Sequence, residues 1–210
     1  MTGKKRAALA VDALKKEYPD AICSLDPTEP YQLLISVRLA AQCTDARVNL
    51  VTPVLFRAYP SLEALATAEV DAVEKIVRPC GLGATKARDI VAMSGMLLSN
   101  YGGVVPDTME ELLKLPGVGR KTANLILGDV YGKPAIVCDT HCIRITNLLG
   151  LTTSKNPLTC ENELRKVLDP AESNDFCHRL VLHGRAVCKA RKPDCERCCM
   201  AEFCKYFSGK

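Results

Sequence analysis

The segment LPGVGRKTAN, at positions 115–124, constrains the fold of this chain more than any other. Its proline and two glycines form a tight turn, because glycine adopts backbone angles that other residues avoid and lets another backbone come close. A charged helix over 107–114 is expected before the turn, and an apolar helix over 120–130 directly after it. The free N–H groups and the positive dipole end of the second helix therefore point at whatever docks on the turn. Such a site favours an anion, for example a phosphodiester.

Lys121 stands at the start of the second helix, on the face opposite an apolar stripe. The spacing of that stripe predicts that its face is buried. A positive helix end disfavours the charged form of a nearby ammonium, and a neutral lysine is a nucleophile. From this segment alone, Lys121 is explained equally well as one more phosphate contact beside Arg120. The stripe consists of Ala123, Ile126, Leu127 and Val130.

Composition narrows the class of protein. The chain has 210 residues, 48% of them hydrophobic and 25% charged, which suits one or two compact domains. Its net charge of +4 permits nucleic-acid binding without arguing for it. Aromatic residues make up only 5% and tryptophan is absent, so the stacking platforms of a single-strand binder are scarce. The sequence has no apolar run of membrane-spanning length and no secretory signal, so we expect a cytoplasmic protein without a membrane partner.

Helical periodicity runs through nearly the whole chain and predicts an all-α fold in which any strand is minor. Short connections suit helices packed around a shared core. Ser61 and Thr67 are expected to cap two short helices, and Thr108 with Glu111 matches a capping box. The longer helices are expected at 4–18, 31–41, 45–59, 84–101, 141–149, 157–168 and 175–186.

Twelve cysteines are unusual in a chain without a secretion signal, and they favour metal ligands or buried thiols over disulfides. Four of them follow the spacing C-x6-C-x2-C-x5-C, which suits a tetrahedral zinc ion or a cubane iron–sulfur cluster. Zinc sites usually pair their cysteines in two short knuckles, whereas this run has one such pair, which favours iron–sulfur and leaves zinc open. Cys199 is an adjacent thiol outside the pattern, so the ligand set could shift by one. The four are Cys188, Cys195, Cys198 and Cys204; most of the others, Cys23, Cys43, Cys80, Cys138, Cys142, Cys160 and Cys177, are expected to be buried small hydrophobes.

A basic loop, KARKP at 189–193, lies between the first two of these four cysteines. If a metal group braces the loop, Lys189, Arg191 and Lys192 would present their charge to a phosphate backbone. Otherwise it is a solvated surface loop.

An aspartate is expected at a helix N-terminus, where either Asp139 or Thr140 is the cap. On sequence alone, a structural cap is the better explanation of Asp139, and the helix dipole and N–H groups favour its ionised form. Because a capping carboxylate is held rigid, the cap is compatible with a chemical role. His141 is expected to be packed or to face solvent.

Three segments together resemble the endonuclease III family of DNA repair glycosylases. LPGVGRKTAN resembles the helix-hairpin-helix of that family, and VCDTH at 137–141 resembles its VDTH motif, with Cys138 as a mild variant. The spacing of the four cysteines is similar to that of the family's [4Fe–4S] loop. The resemblance runs from about Leu33 to Cys204, which is most of the chain, and the combination is specific.

The resemblance implies a role for each of these sites. Lys121 would be the nucleophile and Asp139 the catalytic carboxylate, and the basic loop would face DNA. The hairpin would grip a phosphate through Gly117, Val118, Gly119 and Arg120. A [4Fe–4S] cluster would be bound by Cys188, Cys195, Cys198 and Cys204.

Two further segments are similar to parts of the family that enter the duplex. Gln42 lies in AQCTD at 41–45, which is similar to the segment whose glutamine inserts into DNA. Leu82 lies between two glycines, as in the loop whose central residue wedges into the base stack, and an exposed leucine fits a wedge. The alternatives are that Gln42 is a surface residue at a helix end and that Leu82 folds back onto the core.

The fold that the resemblance implies is two helical domains with a DNA-binding cleft between them. A helix-hairpin-helix six-helix bundle would span 23–133, and an iron–sulfur cluster domain would combine 1–22 with 134–210. The implied function is that of a bifunctional DNA glycosylase and abasic-site (AP) lyase in base excision repair. It would remove oxidised pyrimidines from duplex DNA and cleave 3′ to the abasic site by β-elimination through a lysine Schiff base. We expect a monomer whose partner is duplex DNA containing oxidised pyrimidines or abasic sites.

Three alternative functions share the hairpin, the cluster or both. A monofunctional mismatch glycosylase shares the hairpin and the cluster but lacks a lysine at the position of Lys121. A non-catalytic helix-hairpin-helix protein would use the hairpin only as a DNA clamp. An electron carrier of ferredoxin type is disfavoured by the presence of a phosphate-binding hairpin.

Overall fold

The computed structural model describes residues 1–26 and 28–209, and over that part of the chain it contains helices and no strand. The prediction of an all-α fold is confirmed. Pro27, in the connector before the second helix, and Lys210, in the second expected domain, lie outside the described residues. None of the described helices is both long and apolar enough to span a lipid bilayer. The helices are α1 (Gly3–Glu17), α2 (Pro30–Ala40), α3 (Asp45–Ala58), α4 (Leu62–Ala66), α5 (Val70–Val77), α6 (Gly83–Tyr101), α7 (Met109–Leu112), α8 (Arg120–Asp129), α9 (Thr140–Leu149), α10 (Pro157–Arg165), α11 (Ser173–Ala186) and α12 (Lys205–Ser208), with 3-10 turns at Arg78–Cys80, Pro170–Glu172 and Ala201–Phe203.

The chain divides into two compact units. The hairpin unit is Ser24–Tyr131 and contains α2 to α8. The cysteine unit combines Met1–Cys23 with Gly132–Lys210 and contains α1 and α9 to α12. Each unit has a buried apolar core of its own.

The core of the hairpin unit forms around α6, the longest helix of the unit. α6 packs against α2, α4 and α5, while α2 also packs against α3 and α8. The apolar positions of these helices recur at helical spacing, so each presents one buried face to the others. The fully buried side chains include Leu34, Ile35, Leu39, Leu55, Leu65, Ile90, Met93 and Leu97.

The core of the cysteine unit forms around α11, which packs against α1 and α9. α12 contacts α9 near the end of the chain. Phe176 and Leu14 are among the largest fully buried side chains of this unit. Cys142 and Cys160 are also fully buried, as expected of small hydrophobes.

Local capping explains where most helices begin. Ser61 and Thr108 accept hydrogen bonds from the third N–H of their helices, as predicted. The expected return bond of the capping box is replaced, because the Glu111 carboxylate instead accepts from the Tyr101 hydroxyl and from Lys114. The prediction for Thr67 is wrong. Its hydroxyl donates back to the Glu63 carbonyl at 3.0 Å, so it ends α4 rather than beginning α5.

Other helix ends differ from the prediction by one to three residues. The charged helix before the hairpin turn is shorter than 107–114, and α10 ends three residues before the predicted end at 168. Asp139, rather than Thr140, caps α9. Five of the eight cysteines outside the four-cysteine pattern are buried, while Cys23, Cys43 and Cys199 are partly exposed.

Candidate functional site

The turn between α7 and α8 is closed by one hydrogen bond, from the Val118 N–H to the Leu115 carbonyl at 3.1 Å. Pro116 is its second residue, and Gly117 has a φ of 73° at the third, which is the arrangement of a type II turn. A Cβ at Gly117 would lie 2.6 Å from Arg38 Nε. Only glycine therefore fits this position, both for its backbone angle and for the space available.

Gly119 is the N-cap of α8 and carries no side chain that could cover the start of the helix. Gly119 is exposed, and its carbonyl accepts the first helical bond, from Ala123 N–H at 2.9 Å. The start of α8 therefore has no N-cap side chain as an acceptor, and such a helix start suits an anion. Val118 differs from its neighbours, since its side chain is buried and its N–H is already donated to Leu115.

Lys121 lies in the first turn of α8 and is exposed. On the opposite face, Ala123 and Ile126 are fully buried and Leu127 is nearly so. This burial fixes the rotation of the helix and turns Lys121 outward, beside the uncapped amides. The predicted orientation of the stripe is confirmed for these three residues, while Val130, at its end, is only partly buried.

Asp139 belongs to the cysteine unit, whereas Lys121 belongs to the hairpin unit. The Asp139 carboxylate Oδ1 accepts a hydrogen bond from the Cys142 N–H at 2.7 Å, so the residue is a helix cap. Its backbone is also fixed, because Asp139 N–H donates to the Val137 carbonyl and its own carbonyl accepts from Ile143 N–H, both at 2.9 Å. A half-buried carboxylate is thereby held in one orientation.

Gln42 and Leu82 share an uncommon backbone conformation. They are the two non-glycine residues with positive φ in the described ranges, at 57° and 52°. Residues with a Cβ adopt this region at a cost, and such strain tends to occur at functional positions. Gln42 is exposed, and the Leu82 side chain is 53% exposed between Gly81 and Gly83. The alternative in which Leu82 folds back onto the core is wrong.

The four cysteines of the C-terminal pattern line one cavity in the cysteine unit. Apolar side chains, among them Leu149 and Met200, form much of the remaining wall, and Cys199 is not part of it. No three potential ligands in residues 1–26 and 28–209 are grouped so as to hold a metal ion. Four thiols around a shared apolar cavity nevertheless form the donor set that an iron–sulfur cluster requires.

His183 is a residue of this cavity that the sequence did not indicate. It is fully buried, with Nε2 3.3 Å from Cys198 Sγ and Nδ1 3.2 Å from the Tyr18 hydroxyl. Burial lowers the pKa of His183 to about 4, so the imidazole is neutral at physiological pH. Its position in α11, fifteen residues before Cys198, carries no ligand spacing.

The basic loop after Cys188 is closed at its base. The N–H groups of Lys189 and Asp194 both donate to the Val187 carbonyl, at 2.9 and 3.0 Å. Arg144 adds a third bond, from its guanidinium to the Cys188 carbonyl at 2.6 Å. The charged side chains of this closed loop are all exposed, namely Lys189, Arg191 and Lys192.

Comparison with known proteins agrees with this arrangement. A family model described as an HhH-GPD superfamily base excision DNA repair protein matches residues 35–170. A second model, the iron–sulfur binding domain of endonuclease III, matches residues 188–204. The protein is therefore a base excision DNA repair protein of the HhH-GPD superfamily that carries an iron–sulfur cluster.

Individual relatives define the family more narrowly. Endonuclease III of Synechocystis sp. is 44% identical over 96% of this chain and 92% of its own length. Endonuclease III of Escherichia coli (strain K12) is 39% identical over 92% of both chains. A solved structure of a trapped endonuclease III–DNA covalent intermediate, an estranged-adenine complex, is 38% identical with a TM-score of 0.92, and the match covers 100% of this chain and 99% of that one. The chain belongs to the endonuclease III family, and its cofactor is a [4Fe–4S] cluster.

Proposed function

We propose that Lys121 and Asp139 carry the chemistry of this base excision repair enzyme, a DNA glycosylase and AP lyase that acts on oxidised pyrimidines in duplex DNA. The observation that carries the proposal is the exposed Lys121 amine in the first turn of α8, directly beside the glycine turn. An amine at this position can reach a sugar whose neighbouring phosphate binds the uncapped amides of the same helix.

The hairpin holds the DNA backbone without reading its sequence. A phosphate binds the backbone of the turn through Gly117 and Gly119 and the first amides of α8, with Arg120 beside it. Val118 contributes through the shape of the turn, because its N–H is already used. The basic loop of Lys189, Arg191 and Lys192 supplies a second contact with phosphates.

The reacting atom, the anomeric carbon of the sugar, is shielded inside the duplex. The damaged nucleotide must therefore be turned out, which costs a few kcal/mol and less for a damaged base. Gln42 and Leu82 occupy the space that the nucleotide leaves. Both residues are exposed and both have left-handed backbone angles, which supports this role.

The neutral Lys121 amine attacks the anomeric carbon, and a carbon–nitrogen bond to lysine replaces the bond to the base. The base leaves with the electron pair of the broken bond and takes up a proton. Asp139, held rigid as a cap, stabilises the positive charge that develops on the sugar and assists proton transfer.

The product of this step is an imine between Lys121 and the opened sugar. The imine acidifies the adjacent C2′ carbon, so a proton is lost there and the C3′–O bond breaks. This β-elimination cleaves the strand on the 3′ side, and water then hydrolyses the imine and releases the lysine. No electron transfer is needed in these steps.

Cys188, Cys195, Cys198 and Cys204 hold the [4Fe–4S] cluster. When bound, the cluster supplies cross-links that brace the loop and the C-terminal segment.

The protein acts as a monomer in the cytoplasm, where the DNA is.

The test is borohydride trapping on duplexes that carry different oxidised pyrimidines. Reduction of the imine should join wild-type protein covalently to DNA, and peptide mapping should locate the bond at Lys121. Lys121→Gln should abolish the adduct while binding to an abasic-site analogue is retained. Lys114→Gln is the matched control, since Lys114 is an exposed lysine of the same hairpin and should not affect trapping. A covalent adduct formed by Lys121→Gln would overturn the proposal.

A further inference from the structure

Lys86 is a fully buried lysine in the first turns of α6. A buried ammonium is costly unless its N–H groups are all hydrogen-bonded. Nζ of Lys86 donates to the main-chain carbonyls of Leu39, Ala41 and Cys80, each at 2.8 Å. These three acceptors use all three protons of the ammonium. Burial lowers the pKa of Lys86, yet the side chain stays inside the unit because main-chain oxygens replace water.

The three carbonyls lie within three residues before the two residues proposed to enter DNA. Leu39 and Ala41 form the end of the chain segment that leads to Gln42. Cys80 ends the 3-10 turn that leads through Gly81 to Leu82. One ammonium therefore ties together two segments about forty residues apart in sequence (47, 45 and 6 residues from Lys86 itself). The backbone of Lys86 adds a further link, since its N–H donates to the Leu82 carbonyl at 2.9 Å.

The hydrogen bonds of Lys86 explain how Gln42 and Leu82 keep their strained backbone angles. Left-handed backbone angles in residues with a Cβ persist only where the surrounding structure over-determines them. Neither residue is a glycine that would adopt these angles freely. The Ala41 carbonyl fixes the peptide unit just before Gln42, and the Cys80 carbonyl fixes the peptide unit before Gly81, so both bonds restrict the rotations that would relax the strain.

The two segments also contact each other beside the ammonium. The thiols of Cys43 and Cys80 lie close enough to interact electrostatically, and Cys43 directly follows Gln42. Burial, followed by the interaction with Cys43, raises the pKa of Cys80 to about 11, so the Cys80 thiol remains protonated and packs as a neutral group. The segments that lead to Gln42 and Leu82 are therefore held beside each other, and Lys86 binds the backbone of both.

We propose that Lys86 is a positioning residue for base extrusion, which holds the Gln42 and Leu82 segments together as one rigid wedge. The inference rests on the proposed function, in which these two residues enter the duplex. An apolar side chain in place of Lys86 would leave three buried carbonyls without a partner and would free the two segments from each other. Lys86 itself is fully buried, so its side chain has no exposed surface to offer to DNA.

The experiment compares Lys86→Met, which donates no hydrogen bond, with Lys86→Gln, whose amide keeps two donors. Base release from a duplex containing an oxidised pyrimidine is measured in single turnover, and extrusion is followed by the fluorescence of 2-aminopurine placed next to the lesion. Cleavage of a single-stranded abasic oligonucleotide is measured in parallel, because it needs Lys121 but no wedge. All rates are expressed per folded molecule, from circular dichroism at the assay temperature.

Lys86→Met should slow duplex base release and the fluorescence change about 10- to 100-fold, as expected for a displacement of positioning groups by about 1 Å. Lys86→Gln should lie between Lys86→Met and wild type, and single-strand cleavage should be unchanged in both. Two controls should retain wild-type extrusion per folded molecule. Lys75→Met removes an exposed lysine of α5, and Met93→Ala destabilises the buried face of α6 seven residues beyond Lys86.

Wild-type extrusion by folded Lys86→Met would overturn the inference, as would an equal loss of duplex and single-strand activity. Failure of both Lys86 variants to fold would assign the ammonium to the stability of the whole unit and would also overturn it. Gln42→Ala and Leu82→Ala test the proposed role of the wedge separately from the positioning role of Lys86. If these variants extrude normally, the proposed role of the wedge fails; if they are impaired while Lys86→Met is not, only the positioning role fails.

Discussion

The Arg38 guanidinium and the Asp89 carboxylate meet directly beside the turn of the hairpin. Arg38 Nε and Nη2 both lie 2.7 Å from Asp89 Oδ2, and the two side chains are 11% and 23% exposed. A Cβ added at Gly117 would lie 2.6 Å from Arg38 Nε and 2.8 Å from Asp89 Oδ2. The ion pair therefore forms the wall against which the turn rests, and it connects α2 and α6 to the proposed phosphate site.

Gly117→Ala should weaken both the fold and DNA binding. The added methyl group meets a positive φ of 73° and the ion pair at once, so the turn must shift. We expect a loss of about 1–3 kcal/mol in the free energy of unfolding, measured by denaturant titration. Affinity for undamaged and damaged duplexes should fall by the same factor, because the turn contacts phosphate rather than bases.

Gly95→Ala is the matched control for this substitution. Gly95 lies inside α6, and a Cβ there would have no neighbour within 4 Å. The variant should gain about 0.5–1 kcal/mol from helix propensity and should bind DNA as wild type does. If Gly117→Ala and Gly95→Ala were equally stable, the close packing against Arg38 would not constrain the turn.

Asp89→Asn should destabilise the hairpin unit through Arg38. The nearly buried guanidinium would keep a hydrogen-bond acceptor but lose its countercharge, which we expect to cost about 1.5–3 kcal/mol. A double-mutant cycle with Arg38→Gln, followed by denaturant unfolding, isolates the pairwise energy. Additive losses in the cycle would show that the two residues act independently.

The helices could be predicted from sequence because their signals are local. Apolar spacing and the capping residues Ser61 and Thr108 lie within the elements that they define. The wrong prediction at Thr67 has the same origin, since a hydroxyl can bond to the helix behind it as well as to the helix ahead. Local sequence does not decide between the two.

The hairpin and the four-cysteine pattern could also be predicted, because each is a short contiguous segment. The residues that support them could not. Arg38 and Asp89 are 51 residues apart, and Lys86 lies 47 residues from Leu39. In the sequence, Arg38, Asp89 and Lys86 are ordinary charged residues of helices. Only the packing of α2 against α6 brings them to their partners. His183 is missing from the sequence prediction for the same reason.

Asp139→Asn should separate the capping role of this residue from its chemical role. Asparagine caps a helix as well as aspartate does, so its side-chain oxygen can still accept from the Cys142 N–H. We expect the free energy of unfolding to stay within about 0.5 kcal/mol of wild type. Base release should slow by about 10²- to 10⁴-fold, because the amide can neither stabilise the sugar cation by charge nor accept the proton. Denaturant unfolding measures the stability, and single-turnover assays measure the rate of base release.

Asp139→Ala provides the comparison for stability. It removes the acceptor as well as the charge, so it should lose about 0.5–2 kcal/mol of stability in addition to activity. An Asp139→Asn variant that turned over at the wild-type rate would leave Asp139 as a cap only. Equal stability losses in both variants would instead show that the charge, rather than the acceptor, holds the start of α9.

Cys198→Ser and Cys199→Ser should differ sharply although the residues are adjacent. Cys198 lines the cavity shared by the four thiols and lies 3.3 Å from His183 Nε2, whereas Cys199 lies outside the wall. Wild type and Cys199→Ser should purify brown with about four iron atoms per chain, while Cys198→Ser should lose iron and unfold at a lower temperature. Iron analysis, visible absorbance and thermal unfolding measure these outcomes. Because serine replaces thiol in both variants, loss of iron from Cys199→Ser would move the ligand set by one residue and contradict the cavity geometry.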